Sequence, residues 1–303
     1  MRLLSVDIGY GHTKVVFKDK KKIRKIKFPT AISFYHENGL GLSDEVELIE
    51  MEGQKYLVGE DAVIDAIDTR DESFIIKYAP VIIIHAIKLT GMKTQDFDVI
   101  TTGISVLNHK VKKDLETRLR NFTVDGQHVR FKKVIVSWQG QGVIYAENLQ
   151  DKNVVIVDGG YNTLDAIPFN KSKLIVKGAY ADRCGVSLIV RDLKEMIQAK
   201  TGEEFSMVEV NEALKIGSIK VYGEEVNLSK EINVAIDNYV EKLKAKIRAN
   251  LTEYIKRSDA VVIAGGLSYL LKDSAQMPKN TIYAKSGEYG NALGYFKIAG
   301  GEL

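Results

Sequence analysis

The 303-residue chain contains a single cysteine, Cys184, and only four prolines. One cysteine cannot form an internal disulfide, which indicates a reducing compartment. No apolar run reaches the roughly 20 residues that a membrane helix needs. An acidic residue at position 7 interrupts any apolar region of the kind that a signal peptide requires. We therefore expect a cytoplasmic protein without membrane contact.

The chain also lacks an excess of one charge, because 43 Lys and Arg residues oppose 40 Asp and Glu residues, a formal net charge of +3. Proteins that coat nucleic acid usually carry a larger basic excess, so we expect no direct nucleic-acid binding. The one Lys-rich stretch, residues 18–27, is interpreted as a solvated hairpin edge, with an acidic partner as the alternative. Five scattered histidines give no zinc-ligand spacing.

Two common nucleotide signatures are missing as well. The chain has no G-x-x-x-x-G-K-[ST] motif, which disfavours a P-loop NTPase. The sequence Gly9-Tyr10-Gly11 continues into a strand-like segment, unlike the glycine-rich turn of a Rossmann domain, which opens a helix. A composition of 45% hydrophobic and 27% charged residues is typical of a folded protein, and the length fits about two domains.

What the chain does contain is an internal repeat. It opens with LLSVDIGYGHTKVVF, and near its midpoint it reads VVIVDGGYNTLDAIPF. Each copy is an apolar strand ending in an aspartate, Asp7 or Asp158, followed by a glycine-rich turn and a second strand. A repeat at half-chain spacing predicts two similar α/β domains that face one another.

Each copy has the chemistry of a phosphate cradle. Glycines in the turn allow backbone N–H groups to point at an anion, and Lys14 can neutralise phosphate charge. Asp7 at the strand end is an oxygen ligand suited to hydrated Mg²⁺, and Asp158 supplies a second carboxylate. Taken singly, either copy could be an ordinary hairpin with Asp and Gly in its turn. The duplication favours a Mg-nucleotide site between the two copies.

These motifs carry a family resemblance. DIGYGHTK and VDGGYNTLD resemble the two phosphate motifs of the actin, sugar kinase and heat-shock chaperone ATPase superfamily, and VVIAGGLSYLL resembles its adenosine motif. CGVSLIVRDL and YGNALGYFKIAG are most similar to ParM/StbA-type plasmid-segregation actins and related archaeal and bacterial actin homologues. The resemblance spans nearly the whole chain.

The resemblance implies an α/β actin-like fold of two ribonuclease-H-like domains, each with a smaller inserted subdomain, and a nucleotide in the central cleft. Domain I would take residues 1–150 with an insertion at about 26–75. Domain II would take residues 151–303 with an insertion at about 186–255. In the second insertion, apolar residues at helical spacing are interpreted as core: Val240, Leu243, Ile247, Leu251 and Tyr254.

The resemblance also implies a role for each motif residue. Asp7 would hold Mg²⁺ through water, and Asp158 would orient the attacking water or its metal. The phosphates of ATP or ADP, with GTP as the alternative, would be bound by both turns. The residues of this group are Gly9, Tyr10, Gly11, His12, Thr13 and Lys14 in the first turn, and Gly159, Gly160 and Thr163 in the second.

The water-positioning residue of the family precedes the second phosphate motif. In VIVSWQGQGVIYAENL the resemblance favours Gln139, with Gln141 as the competitor, or both glutamines merely shape a turn. A neutral glutamine positions water without acting as a strong base, which implies slow hydrolysis unless assembly aligns it. The nucleoside would contact Asp182, Gly185, Glu212, Lys215, Gly265, Gly266 and Leu267. For the Glu212 and Lys215 pair, a surface ion pair is the alternative. Cys184 is interpreted as a buried packing residue.

The implied function is an ATPase that polymerises head to tail into nucleotide-dependent filaments. Such filaments would segregate plasmid or other DNA through a DNA-binding adaptor protein, in keeping with the near-neutral charge. One alternative is a small-molecule kinase of the same superfamily, which would need a catalytic aspartate for the acceptor hydroxyl. Another is an ATP-binding scaffold that does not polymerise.

Overall fold

The structure is a computed structural model that describes residues 2–35, 46–67, 69, 72–271 and 277–301. In the first half of the chain the strands are β1 (Leu3–Ile8), β2 (His12–Asp19), β3 (Lys22–Pro29), β4 (Ile32–Phe34), β5 (Ile49–Met51), β6 (Gln54–Val58), β7 (Val99–Ile104), β8 (Asn121–Val124), β9 (Gln127–Arg130) and β10 (Lys133–Trp138). In the second half they are β11 (Asn153–Gly159), β12 (Leu164–Asn170), β13 (Lys173–Leu174), β14 (Tyr180–Asp182), β15 (Ser218–Val221), β16 (Glu224–Asn227), β17 (Ala260–Gly265) and β18 (Thr281–Tyr283).

The α-helices connect and cover these strands. They are α1 (Glu72–Leu89), α2 (Lys112–Arg120), α3 (Gln141–Ala146), α4 (Ser187–Thr201), α5 (Met207–Ile216), α6 (Ser229–Lys256), α7 (Leu267–Leu271) and α8 (Gly290–Ile298). Among the described residues, no helix is long and apolar enough to span a bilayer.

Two sheets of the same design form the centres of the two halves. In the first, the order is β3-β2-β1-β7-β10, with antiparallel pairing on the hairpin side of β1 and parallel pairing on the other. In the second, β12-β11-β17-β18 repeats that pattern, and β13 and β14 pair with β12. The sequence repeat is therefore a structural repeat, with β1 and β11 as the equivalent central strands.

Smaller units lie within the predicted insertions. The range 26–75 holds the three-stranded sheet β4-β6-β5, although β3 at its start belongs to the large sheet and residues 36–45 lie outside the described part. The range 186–255 holds α4, α5, the β15–β16 hairpin and α6. The apolar stripe of α6 is buried through Leu251, and Tyr254 packs against the same core, as its helical spacing predicts.

Two helices each pack against the sheet of the opposite half of the chain. Helix α3 precedes the second sheet in the chain but packs its Val143 and Ile144 beneath that sheet, against Ile156. Helix α8 ends the described chain yet packs Leu293 and Phe296 beneath the first sheet. The two helices therefore join the halves where they meet, while the proposed boundary at residues 150/151 remains a prediction.

The Lys-rich stretch and Cys184 both lie where the sequence predicts. The Lys-rich stretch 18–27 forms the β2–β3 hairpin, with β3 at the edge of its sheet, as interpreted from the sequence. Cys184 is buried, and burial raises the pKa of its thiol to about 11. A thiol with that pKa is protonated at neutral pH, which agrees with a packing role.

Candidate functional site

A cavity of about 400 Å³ lies between the two glycine-rich turns. This volume falls in the usual range for small-molecule sites. Both turns, the two glycines before α7 and later residues of α7 contribute to its wall, so residues far apart in the chain meet here. The predicted site residues that line it are Asp7, Gly9, Tyr10, Gly11, His12, Lys14, Gln139, Asp158, Gly160, Thr163, Lys215, Gly265 and Gly266.

The first turn is shaped by close backbone contacts. A side chain at Gly9 would place its Cβ 2.9 Å from the carbonyl oxygen of His12, so glycine is required for this tight loop. The Gly11 carbonyl accepts a hydrogen bond from the Thr30 backbone N–H at 3.1 Å. The Asn108 amide donates to the Tyr10 hydroxyl at 3.2 Å. The loop is therefore held in shape by segments outside its own hairpin.

The second turn is held by the start of α4. The Gly160 N–H donates to the Thr163 carbonyl at 2.9 Å, which closes the turn. The carbonyls of Gly160 and Tyr161 accept hydrogen bonds from the N–H groups of Val186 at 3.0 Å and Ser187 at 2.7 Å. With these carbonyls occupied by α4, the loop is fixed in position along one wall of the cavity.

Two carboxylates, Asp7 and Asp158, and the Lys14 side chain line the same cavity. Asp7 and Lys14 are directly opposite in the β1–β2 register, so they share one face of the hairpin. Burial raises the pKa of Asp7 to about 6, partly offset by Lys14, while the nearby Asp158 charge raises it further. Burial also raises the pKa of Asp158, against the lowering effects of the Asn291 hydrogen bond and of Lys14. The pair would bind a cation favourably because each carboxylate lacks full compensation.

The residues present fit Mg²⁺. The Oδ1 atom of Asp7 is buried and has no hydrogen-bond partner within the described part of the chain. A buried acceptor of this kind costs free energy unless a ligand or water pairs with it. Carboxylate oxygen is the ligand type that Mg²⁺ prefers, usually with several waters retained. Asp7, with Asp158 beside it, is therefore suited to a hydrated divalent cation.

The two candidate glutamines occupy different positions. Gln139 lines the cavity, and its side chain lowers the pKa of Asp7 through a hydrogen bond. Gln141 opens α3, and its Oε1 lies 3.5 Å from the Trp138 backbone N–H, at the limit for a hydrogen bond. Gly140 between them has φ +81°, which turns the chain sharply. Of the two glutamines, Gln139 is therefore the one that lines the cavity.

The adenosine-type motif forms the opposite wall. Gly265 has φ +70°, and a Cβ there would lie 2.5 Å from Oδ1 of Asp158. Gly266 is open on its cavity side, with nothing nearer than 3.9 Å. Leu267, in contrast, is fully buried and packs on Gly159. A Cβ added at Gly159 would lie 2.4 Å from the Cβ of Leu267. Gly265 and Gly266 thus shape the wall, while Gly159 and Leu267 support it from behind.

Four further predicted residues lie outside the cavity lining. The Thr13 hydroxyl is buried against that of Thr30 at 2.8 Å. Asp182 pairs with Lys246 of α6 and accepts a hydrogen bond from Tyr180, and these contacts lower its pKa to about 2. The remaining two are Gly185, which packs against the carbonyls of the second turn, and Glu212, which pairs at 2.5 Å with the cavity residue Lys215.

His12 lines the cavity in its neutral form. Burial and the positive charges of Lys27 and Lys14 lower its pKa to about 4. Lys27 in turn pairs with Glu288 at 2.7 Å, beside the same cavity. His12 therefore offers hydrogen bonding at neutral pH rather than positive charge.

Among the polar cavity residues that the sequence reasoning missed, two are neighbours of Asp158. Asp165 is opposite Asp158 in the β11–β12 register, lines the cavity and accepts a 2.6 Å hydrogen bond from Ser105 of the first half. Burial raises its pKa to about 7. Asn291 on α8 donates to Asp158 at 2.7 Å. The final Asp of VDGGYNTLD was a visible signal for Asp165, whereas Asn291 lies in YGNALGYFKIAG, a segment that was used for the family resemblance but was given no site role.

Comparison with known proteins relates both halves of the chain to actin-like proteins. Residues 5–142 match the family model described as the N-terminal domain of actin-like proteins. Residues 156–276 match the model of the C-terminal part of archaeal MreB-like actin homologues. An archaeal actin homologue of Thermoplasma acidophilum is 24% identical, over 97% of this chain and 98% of that protein.

Solved structures show the same fold over the whole length. A crystal structure of an archaeal actin homologue in complex with ADP covers 99% of both chains, with a TM-score of 0.79 and 23% identity. A 15-stranded ParM filament from Clostridium botulinum covers 99% of both chains, with a TM-score of 0.74 and 20% identity. The fold is actin-like, as the sequence resemblance predicted.

Proposed function

The chain belongs to the actin-like proteins, and on that premise we propose that it is an ATPase that forms nucleotide-dependent filaments. The observation that carries the proposal is that Asp7, Asp158 and Lys14 all line one cavity. This cavity lies between the two glycine-rich turns. This is the arrangement that a Mg-nucleoside triphosphate needs: anion-binding turns, a cation and two carboxylates for the metal. ATP is the proposed substrate, with GTP as the alternative.

Each residue of the cavity has a distinct part in the proposed reaction. Asp7 and Asp158 would hold Mg²⁺, which when bound neutralises phosphate charge. Lys14 and the backbone N–H groups of the turns bind the phosphates. Gln139 orients the attacking water. A neutral amide is too weak a base to accept the proton that this water loses. Asp165 lines the same cavity with a pKa of about 7 and can accept that proton near neutral pH.

The proposed assembly is head to tail. A contact between two different faces of one chain propagates instead of closing, which produces a filament. The ParM filament that shares this fold supports self-association, and the relative with bound ADP supports a nucleotide in the cleft. We further propose that the filament acts in the cytoplasm and moves plasmid or other DNA through a DNA-binding adaptor, because a net charge of +3 offers little direct attraction to nucleic acid.

The test separates binding from hydrolysis. Wild-type protein should bind Mg-ADP in calorimetry and hydrolyse Mg-ATP. Gln139→Ala should keep nucleotide affinity within about threefold and lower kcat by about 100-fold, because only the transition state needs the oriented water. Gln141→Ala is the matched control and should keep most activity. Wild-type hydrolysis rates in Gln139→Ala, or an equal loss in both variants, would contradict the assignment.

One observation favours a second function, a small-molecule kinase. Such an enzyme needs a carboxylate base for the acceptor hydroxyl, and Asp165 is a cavity carboxylate with a pKa of about 7. A screen of sugars and carboxylic acids with labelled ATP distinguishes the two functions. Phosphoryl transfer well above the rate of hydrolysis would establish the kinase. Hydrolysis that no acceptor accelerates would support the filament ATPase.

A further inference from the structure

We propose that residues 60–66 of one copy, the acidic loop, dock into a groove beside Lys18 and Lys20 of the next copy, the basic groove. The occupant of the groove is therefore a second copy of this chain. The inference deepens the proposed function, because it assigns the two surfaces of one head-to-tail contact, and it rests on that function for the repetition of the contact along a filament.

The basic groove is a cavity of about 530 Å³ at the end of the first sheet away from the cleft. It lies beside Leu3, the first residue of β1, whereas Asp7 near the other end of that strand lines the cleft cavity. Met92 and Phe296 contribute further apolar atoms to its wall. The groove thus offers apolar surface of the kind that protein contacts bury.

The groove also carries uncompensated positive charge. Its charged lining is Arg2, Lys18, Asp19 and Lys20. Arg2 and Asp19 each pair with a neighbouring residue of opposite charge. Lys18 and Lys20 are exposed and make no ion pair within the described part of the chain, and Lys21 follows them, exposed, in the same hairpin turn. An occupant with carboxylates is therefore favoured over a neutral or basic one.

The acidic loop has the matching composition. It contains Glu60, Asp61 and Asp65 and no basic residue. Ile64 is 94% exposed, and the adjacent Val63 is 39% exposed. Single exposed apolar residues are common on protein surfaces, but here two stand together among three carboxylates. An apolar tip with acidic neighbours complements an apolar groove with unpaired lysines.

The base of the acidic loop is closed by backbone hydrogen bonds. The Gly59 N–H donates to the Ala31 carbonyl at 2.9 Å, and the Ile67 N–H donates to the Ile32 carbonyl at 2.8 Å. Both ends of the loop are thus held at the start of β4, and the residues between them project outwards. A loop that is already held in this way loses less conformational freedom when it docks.

The groove and the loop lie at opposite ends of the first half, so a single copy cannot bring them together. The groove adjoins the start of β1, while Thr69, just beyond the loop, donates to the Tyr10 carbonyl in the first glycine-rich turn at 3.1 Å. The length of β1 alone separates these ends by about 17 Å. The loop of one copy must meet the groove of another, and a contact between two different faces repeats into a filament.

The first test measures the protein concentration above which Mg-ATP induces light scattering. Ile64→Ser and Lys20→Glu should each raise this threshold about tenfold or more, because an anchor of the contact is lost. Neither residue lines the cleft cavity, so Mg-ADP affinity should stay within about threefold of wild type. Val176→Ser and Lys113→Glu are the matched controls, at exposed positions outside both surfaces, and should leave the threshold unchanged. Wild-type thresholds in Ile64→Ser and Lys20→Glu would overturn the inference and leave the groove to another partner.

A charge exchange tests whether the two surfaces face each other. Asp65→Lys should raise the threshold as Lys20→Glu does. The double variant Lys20→Glu/Asp65→Lys should assemble at a lower concentration than either single variant, because opposite charges meet again. A double variant that assembles no better than the single variants would contradict the contact, since a merely structural loss is not rescued in this way.

Cross-linking separates the contact from the proposed function. Ile64→Cys protein and Lys20→Cys protein are mixed with Mg-ATP and treated with a short bismaleimide. The native Cys184 is buried with a thiol pKa raised to about 11, so it should react little. Heterodimers linked through the two substituted positions should form, and Ile64→Cys with Lys113→Cys should give none. Wild-type filaments without this cross-link would refute the contact and leave the proposed function intact. Cross-linked heterodimers without filaments or ATP hydrolysis would support the contact and refute the proposed function.

Discussion

At the scale of single residues, burial of the Asp7 carboxylate in the cavity lowers the stability of the nucleotide-free protein at neutral pH. Asp7 is buried with an unpaired oxygen, and its pKa is raised from 3.8 to about 6. The unfolded chain loses this proton near pH 4, whereas the folded chain keeps it to about pH 6. Nucleotide-free protein therefore loses stability as the pH rises through this window and stays less stable above it. Binding of a cation would remove that cost.

Asp7→Asn tests this account of the cavity. With no ligand present, the variant should be more stable than wild type at pH 7, by up to about 3 kcal/mol, and the difference should shrink towards pH 4. Urea unfolding at several pH values measures it. Mg-ADP should stabilise wild type much more than the variant, since Asp7 is the proposed metal residue. A variant that is less stable than wild type at pH 7 would contradict the electrostatic account.

The positions of site residues were predictable where a local motif marks them. Asp7 and Asp158 follow apolar strands in a repeated pattern, and both line the cavity. Thr13 and Leu267 belong to the same motifs but are buried away from the cavity, because strand alternation and helix packing decide where a side chain lies. The contact of Asn291 with Asp158 could not be predicted from the motif YGNALGYFKIAG that contains it, since the two residues meet only through the packing of α8 across 133 positions.

At the scale of elements, the α3–α8 crossing is the contact on which the cleft depends. Two glycines allow it, Gly142 and Gly294, and each would clash with the partner helix if it carried a side chain. The apolar faces of these helices lie beneath opposite sheets. The internal repeat predicted the two halves, and apolar residues at helical spacing predicted the core stripe of α6. The sequence could not predict that each half contributes a helix to the other, because no local pattern encodes that exchange.

Gly294→Ala should be strongly destabilising. The added methyl group would meet the Gly142 carbonyl, and overpacking of this kind typically costs about 1–3 kcal/mol, with backbone contacts at the upper end. Chemical unfolding of the nucleotide-free protein provides the measurement. The matched control is Gly266→Ala, where the nearest atom lies at 3.9 Å and little change is expected. Equal stability of the two variants would show that the helices do not pack as described.

At the scale of the whole molecule, the cavity lies between two halves that share a topology but differ in charge. Where the first hairpin places Lys14 opposite Asp7, the second places Asp165 opposite Asp158. One half thus supplies a cationic side chain at this position and the other a titratable carboxylate. Ser105 of the first half donates to Asp165, which connects the halves across the cleft. A nucleotide bound between the turns would contact both halves at once, so under the proposed function its hydrolysis would change how the halves are held together.

The most direct measurement of this account records light scattering and phosphate release together after Mg-ATP is added to the full chain. Scattering should rise above a threshold protein concentration, phosphate release should follow it, and electron microscopy of the same sample should show filaments. Scattering should then fall as ATP is consumed. Absence of filaments across protein concentration, salt and both purine nucleotides would contradict the central claim.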